Sequence, residues 1–257
     1  MVDIAADDGT PAVARTAKVP EVTVAFWVVK ILTTGLGETT SDFLVRSFDP
    51  PLVIAISGVV LALALGVQWL RPGFSKWRYW IAVTMVAVFG TMVADVIHVA
   101  LGVPYLVSTL AFLAILAAVF AGWWRSEGTL SIYSIHTRRR ETFYWLTVLA
   151  TFALGTAAGD LTASSFGLGY LFSGLAFAVA FLVPFGARRW PGASEVLTFW
   201  TAYVLTRPLG ASFADWLGVG PERGGVGLGT GLISIVLIVI AAGIVALKSF
   251  DAAAPVD

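Results

Sequence analysis

One short frame occurs four times in this chain, and it limits what the chain can fold into. An aromatic residue and a tryptophan, Phe26-Trp27, are followed ten residues after the Trp by Gly37 and five later by Asp42. The frame returns as Tyr79-Trp80…Gly90…Asp95, Tyr144-Trp145…Gly155…Asp160 and Phe199-Trp200…Gly210…Asp215. A small residue precedes each Asp: Ser41, Ala94, Gly159 and Ala214. Four copies without an internal gap identify a repeat architecture.

The setting of the repeats is a membrane. The chain is 58% hydrophobic and only 12% charged, with mean hydropathy +0.87, far less charged than a soluble domain. Eight apolar segments are long enough to span a bilayer, near 21–46, 51–70, 77–101, 104–124, 141–166, 169–188, 195–217 and 227–248. The expected fold is an all-α polytopic membrane protein of eight transmembrane helices. Each repeat is expected to be one two-helix hairpin, with the frame on the odd helix. Two crossings return the chain to its starting side, so the four repeats run parallel, with pseudo-fourfold or nested twofold symmetry about the membrane normal.

Loop charge sets the orientation. Arg15, Lys18, Arg71, Lys76, Arg78, Arg125, Arg138, Arg139, Arg140, Arg188, Arg189 and Lys248 flank one set of helix ends; Arg46 and Arg223 flank the other. This places both termini in the cytoplasm. Residues 1–18 lack an apolar run and read as a disordered cytoplasmic tail rather than a signal peptide. The first membrane half, 19–124, holds repeats one and two. A cytoplasmic loop, 125–140, leads to the second half, 141–248, and 249–257 form a second cytoplasmic tail.

Each Asp lies about seven residues, or roughly 10 Å, inside its helix end. Acids at that depth are costly and call for a function. Asp42, Asp95, Asp160 and Asp215 are therefore candidate ion or proton ligands. Ser57, Ser108, Ser173 and Thr230 follow the next turn in each repeat and would supply neutral oxygens from the neighbouring helix. The alternatives are interhelical Asp–hydroxyl hydrogen bonds or capping of the turns. Glu38, four residues before Asp42, shares its helix face; together they are the candidate metal ligands.

Three further polar residues stand out. Arg207, followed by Pro208, is too central to reach water and is expected to pair with Glu38 or an Asp, as a structural lock or a coupling switch. Lys30 either reaches the interface along its stem or acts as a gating counter-charge. His98 is a hydrogen-bonded core residue, a ligand or a proton relay. Trp27, Trp80, Trp145 and Trp200 are either interface anchors or an aromatic plug on the pathway.

The chain resembles the bacterial membrane proteins built from four tandem copies of a two-helix repeat of unknown function, each with a characteristic Trp. The resemblance rests on the four frames and on Lys18-Val19-Pro20-Glu21-Val22-Thr23 and Thr33-Thr34-Gly35-Leu36-Gly37-Glu38-Thr39-Thr40-Ser41-Asp42. It implies the fold plan and a bacterial cytoplasmic membrane, but no reaction.

The chain has no Cys, which excludes thiolate sites and disulfides. It lacks HExxH, Walker and GxSxG motifs, so an enzyme is not expected. A formal net charge of +0 argues against nucleic acid. The expected partners are the lipid bilayer and a small cation or cationic solute; no cofactor is expected beyond a possible bound metal cation. The function that follows is a small secondary transporter for a cation, a divalent metal first, with proton coupling. The rival is a non-transporting scaffold or sensor using Arg138-Arg139-Arg140.

Overall fold

The computed structural model describes residues 17–189 and 192–253. They form eight long helices and no strand: α1 (Val24–Ser47), α2 (Pro50–Leu70), α3 (Lys76–Asp95), α4 (Tyr105–Glu127), α5 (Arg138–Asp160), α6 (Gly169–Ala187), α7 (Glu195–Gly218) and α8 (Thr230–Leu247). Side-chain caps set several of the starts. Thr23, Asp49, Thr137 and Ser194 accept from the backbone N–H groups of Phe26, Leu52, Arg140 and Leu197, satisfying donors that a first turn leaves free. The Thr137 cap puts Arg138, Arg139 and Arg140 on the first turn of α5, so the loop expected over 125–140 is shorter. It also contains a 3-10 turn, Ile132–Ser134.

Helices α3 and α5 do not end at their Asp. Each continues as a π-helical turn, Val96–Ala100 and Leu161–Ser165, closed by Leu101 N–H to Val96 O and Phe166 N–H to Leu161 O. Gly102 (φ 63°) and Gly167 (φ 70°) then reverse the chain in the left-handed region, which glycine enters without a Cβ penalty. α1 and α7 end with ordinary i→i+4 bonds instead.

The odd helices are inside and the even helices outside. Neighbours around the inner ring are α1–α3, α3–α5, α5–α7 and α7–α1. The apolar stretches of α2, α6 and α8 are only 17% buried, against 56% for α3 and 72% for α5. Their outward faces carry residues such as Leu52, Ile56, Leu63, Val179, Ile235 and Val239. α2, α3, α4, α5, α6 and α8 are long and apolar enough to cross a membrane by length and composition, as expected of a membrane protein. α1 and α7 are not among them, because they carry the polar residues described below.

The packing within repeats differs from the expected hairpins. α2 lies mainly against α3, α4 against α5, α6 against α7, and α8 closes back onto α1. Each even helix therefore covers the odd helix of the next repeat. Small residues make the approach possible: a Cβ on Gly58 would meet Phe89, on Gly174 Phe213, and on Gly231 Phe43. Chain adjacency alone does not choose the neighbour; the groove beside a bulky Phe does.

The frame's glycine has an equally definite job. A Cβ on Gly37 would meet Ala87, on Gly90 Phe152, on Gly155 Arg207, and on Gly210 Thr34. Each partner lies seven residues after the Trp of the next repeat, and the fourth contact returns to the first repeat. The aromatic pairs close in the same order. Phe26 meets Trp80 (ring centroids 5.6 Å), Tyr79 meets Trp145 (5.8 Å), Tyr144 meets Trp200 (6.1 Å) and Phe199 meets Trp27 (5.7 Å). Eight rings thus form a closed circuit at one end of the bundle. Such pairs add about 0.5–1.5 kcal/mol each beyond their burial.

The chain ends also pack at this aromatic end. Ala17 and Val19 are buried, Lys18 N–H bonds Ile135 O (2.8 Å), and Pro20 bridges to Ala252. Phe250 lies on Trp80 (5.7 Å). Parts of the two expected tails thus belong to the fold, 17–18 and 250–253; residues 1–16 and 254–257 lie outside the described residues.

Candidate functional site

Three positions on each odd helix face the interior: three, seven and eleven residues after the Trp. In the second and third repeats they are Val83, Ala87 and Thr91, and Val148, Phe152 and Thr156; all are buried. The first repeat has Lys30, Thr34 and Glu38, and the fourth Tyr203, Arg207 and Ala211.

Arg207 converges with the others. Its stem crosses Gly155. Its Nη2 donates to Glu38 Oε2 (2.6 Å), Thr156 Oγ1 (2.7 Å) and Thr91 Oγ1, and Nη1 donates to Thr34 O (3.0 Å). The two threonines suit this role. Each donates its own hydroxyl proton back to its helix, Thr91 to Ala87 O (3.0 Å) and Thr156 to Phe152 O (3.1 Å), so only lone pairs face the guanidinium. Arg207 is 1% exposed and ties α7 to the other three inner helices.

Lys30 does not reach the interface; it is buried on the aromatic side of Arg207. Its ammonium lies 4.1 Å from the Phe152 ring centre and 4.2 Å from that of Tyr203. The Arg207 guanidinium lies over the same Phe152 ring, at 5.3 Å. No ion pair among the described residues includes Lys30. At the aromatic end, the Tyr79 and Tyr144 hydroxyls bond each other (2.5 Å), and Tyr203 is buried beside them.

On the other side of Arg207 is a cavity of about 530 Å³. Glu38, Asp42, Asp95, Asp160 and Asp215 all line it, together with Tyr105, Tyr170, Arg46 and Arg223. Asp42 pairs with Arg46 (2.7 Å), and Arg223 donates to the Tyr170 hydroxyl (3.0 Å). Asp95, Asp160 and Asp215 have no ion pair among the described residues. The cavity thus meets the Arg207 cluster through Glu38 at its floor, and has an acidic wall that also carries Arg46 and Arg223.

Several expectations need correction. The hydroxyls of Ser57, Ser108, Ser173 and Thr230 are absent from the cavity lining. Ser108 bonds Tyr105 O (3.0 Å), and Ser173 Oγ is buried without a partner. The reason is the packing above: each even helix turns towards the next repeat, away from its own Asp. His98 is likewise outside the lining, because the π-helical turn after Asp95 rotates it against Tyr105 (ring centres 4.4 Å) and Val103 O. Glu38 and Asp42, the candidate metal ligands, both line the cavity. Each is drawn to a different arginine, and no group of three or more His, Asp or Glu among the described residues is placed to hold a metal ion. In the basic segment Arg139 and Arg140 both pair with Glu127 (3.3 and 2.8 Å), with Arg139 still largely exposed. Trp80, Trp145 and Trp200 are buried in the aromatic circuit; it is Trp69, Trp77 and Trp124 that are exposed.

Sequence reading missed Phe152, Tyr203, Tyr105 and Tyr170. A signal for the last two was present: both open the matching segments Tyr105-Leu106-Val107-Ser108 and Tyr170-Leu171-Phe172-Ser173.

The four-times-closed contact pattern has its counterpart in a family comparison. The model for "Repeat of Unknown Function (DUF347)" matches residues 25–73, 78–129, 143–193 and 198–251. The chain belongs to this family. Each of the four matches begins two residues before its Trp, so the repeat unit of the family coincides with the structural frame. No curated protein and no solved structure matches the chain.

Proposed function

We propose that this protein is a small membrane transporter for a cationic solute, entered from the acidic cavity. All eight helices would cross a bacterial cytoplasmic membrane, α1 and α7 sheltered by the other six, with pseudo-fourfold symmetry about the normal and both termini cytoplasmic. The acidic cavity then faces outward and the aromatic circuit inward. The observation that carries the reading is the gathering of five carboxylates on one cavity, three of them without a cationic partner. Acids at membrane depth are expensive unless they serve a path or a ligand.

The size and lining favour a small organic cation over a divalent metal. A volume of about 530 Å³ falls in the range of small-molecule sites. Tyr105 and Tyr170 offer aromatic faces to an ammonium group. A hard metal wants several oxygens converging on one point, and the acids are spread around the wall instead. Arg207 with Glu38 would be the gate, and the ring of eight aromatics the inner seal.

The test is flux in proteoliposomes against a panel of ammonium compounds and divalent metals. Uptake or efflux of an ammonium probe, abolished in Asp95→Asn, Asp160→Asn and Asp215→Asn, is the expected result. Equal flux in all three variants, or none for any cation in the wild type, would sink the reading.

A further inference from the structure

Two buried cations, Lys30 and Arg207, share one aromatic ring, and of the two only Arg207 has a carboxylate partner among the described residues. Both lie over Phe152, at 4.1 and 5.3 Å; Glu38 pairs with Arg207, and no ion pair among the described residues includes Lys30. Like charges this close, away from water, strongly oppose each other. Arginine keeps its proton in proteins, whereas a buried lysine can give one up. The floor therefore has one fixed charge and one that can be discharged.

We propose that Lys30 is the proton-exchanging group of the transporter, releasing a proton as a cationic solute enters the acidic cavity. The proposal rests on the cation-transport reading. A solute that engages Glu38 weakens the hold of that carboxylate on Arg207. The guanidinium charge then acts more fully on Lys30. The Nζ–H bond breaks, its electron pair stays on nitrogen, and the proton leaves past Glu38 to water in the acidic cavity, the side that the aromatic circuit does not close. One positive charge leaves as another arrives, so the buried floor and cavity keep their total charge. By linkage, protonation of Lys30 favours solute release to the same extent.

The groups facing Lys30 fit this role. From α5 comes Phe152 and from α7 Tyr203, with Arg207 over the same Phe152 ring; Glu38 stands on its own helix, two turns on. No carboxylate reaches the ammonium to hold its charge permanently. The hydroxyls of Tyr79 and Tyr144 bond each other at the aromatic end of the bundle. The aromatic ring contacts stabilise the ammonium without fixing its proton as an ion pair would.

The experiment measures heat of binding of tetraethylammonium chloride, with manganese(II) chloride in parallel, in two buffers of different ionisation enthalpy. The comparison counts protons released per cation bound. The wild type is expected to release about one proton per cation. Lys30→Met should bind the cation with release reduced to near zero. Lys30→Arg, which keeps the charge, should show no release and affinity at least about tenfold weaker. Both variants must elute as a single species and retain cooperative melting; a variant that fails this leaves the other to decide. Unchanged proton release in a folded Lys30 variant would overturn the role of Lys30 while leaving cation binding intact. No binding of either cation to the wild type would overturn the transport reading itself, and this proposal with it.

Discussion

The second and third repeats present valine, alanine or phenylalanine, and threonine to the centre of the bundle; the first and fourth present Lys30, Glu38, Tyr203 and Arg207 at the same positions. The scaffold contacts are shared by all four: the aromatic circuit and the Gly-to-next-helix approach close around the ring without a break. The helix ends differ as well, with π-helical turns in the second and third repeats only. The frame therefore builds the bundle, and departures from it place charge inside. α1 and α7, the two helices that carry those charges, are also the two whose apolar character falls short of the other six.

The comparison breaks first at Glu38. Glu38→Gln leaves Arg207 buried with no carboxylate, and should lower stability by about 3–5 kcal/mol in thermal unfolding in detergent. The combined change Lys30→Val, Glu38→Thr and Arg207→Phe gives the first and fourth repeats the side chains of their neighbours. Apolar replacement of a buried ion pair is often neutral or stabilising, so this variant should regain wild-type stability and carry no cation flux. Stability as low as that of Glu38→Gln would show that the polar centre is not an insertion into a common scaffold.

The shared contacts give the next largest effect. In Gly37→Ala the new methyl would meet the Ala87 backbone, and the expected loss is about 1–3 kcal/mol. Gly66, with nothing within 4 Å of a Cβ, is the control and should tolerate Ala. Equal effects at both sites would refute the explanation given for the frame's glycine.

Much of this scaffold was legible because the frame recurs with fixed spacing: Trp, Gly and Asp mark one helix four times. The side to which each even helix turns was not. Asp42 and Ser57 are near in sequence, but the choice of neighbour depends on the fit of Gly58 against Phe89, a contact between repeats. His98 is buried against Val103 O, as one of its expected roles has it; which groups it meets was not legible, because the π-helical turn after Asp95 does not keep 3.6 residues per turn. Lys30 looked free to reach water because its helix start is only six residues away; the aromatic circuit closes that route. Arg207 was easier, since a guanidinium so central must find acceptors. Its convergence with Thr91 and Thr156 needed the register of three other helices.

Smaller effects sharpen the contrast between the two ends. Tyr79→Phe removes the hydroxyl bond to Tyr144 inside the sealed end, and should reduce stability by about 1 kcal/mol. Arg46→Gln removes a half-exposed ion pair with Asp42 at the open end. Its effect on unfolding should be at most about 1 kcal/mol and should shrink with added salt. A larger effect at Arg46 than at Tyr79 would reverse the account of which end is built for packing and which for solute.

The cavity acids are the centre of the account, and cation affinity tests them most directly. Calorimetric titration of tetraethylammonium chloride into the wild type and into the triple variant Asp95→Asn, Asp160→Asn, Asp215→Asn should show binding to the first, weakened at least about tenfold in the second, a difference of about 1.4 kcal/mol or more. Equal affinity for the two folded proteins would contradict it.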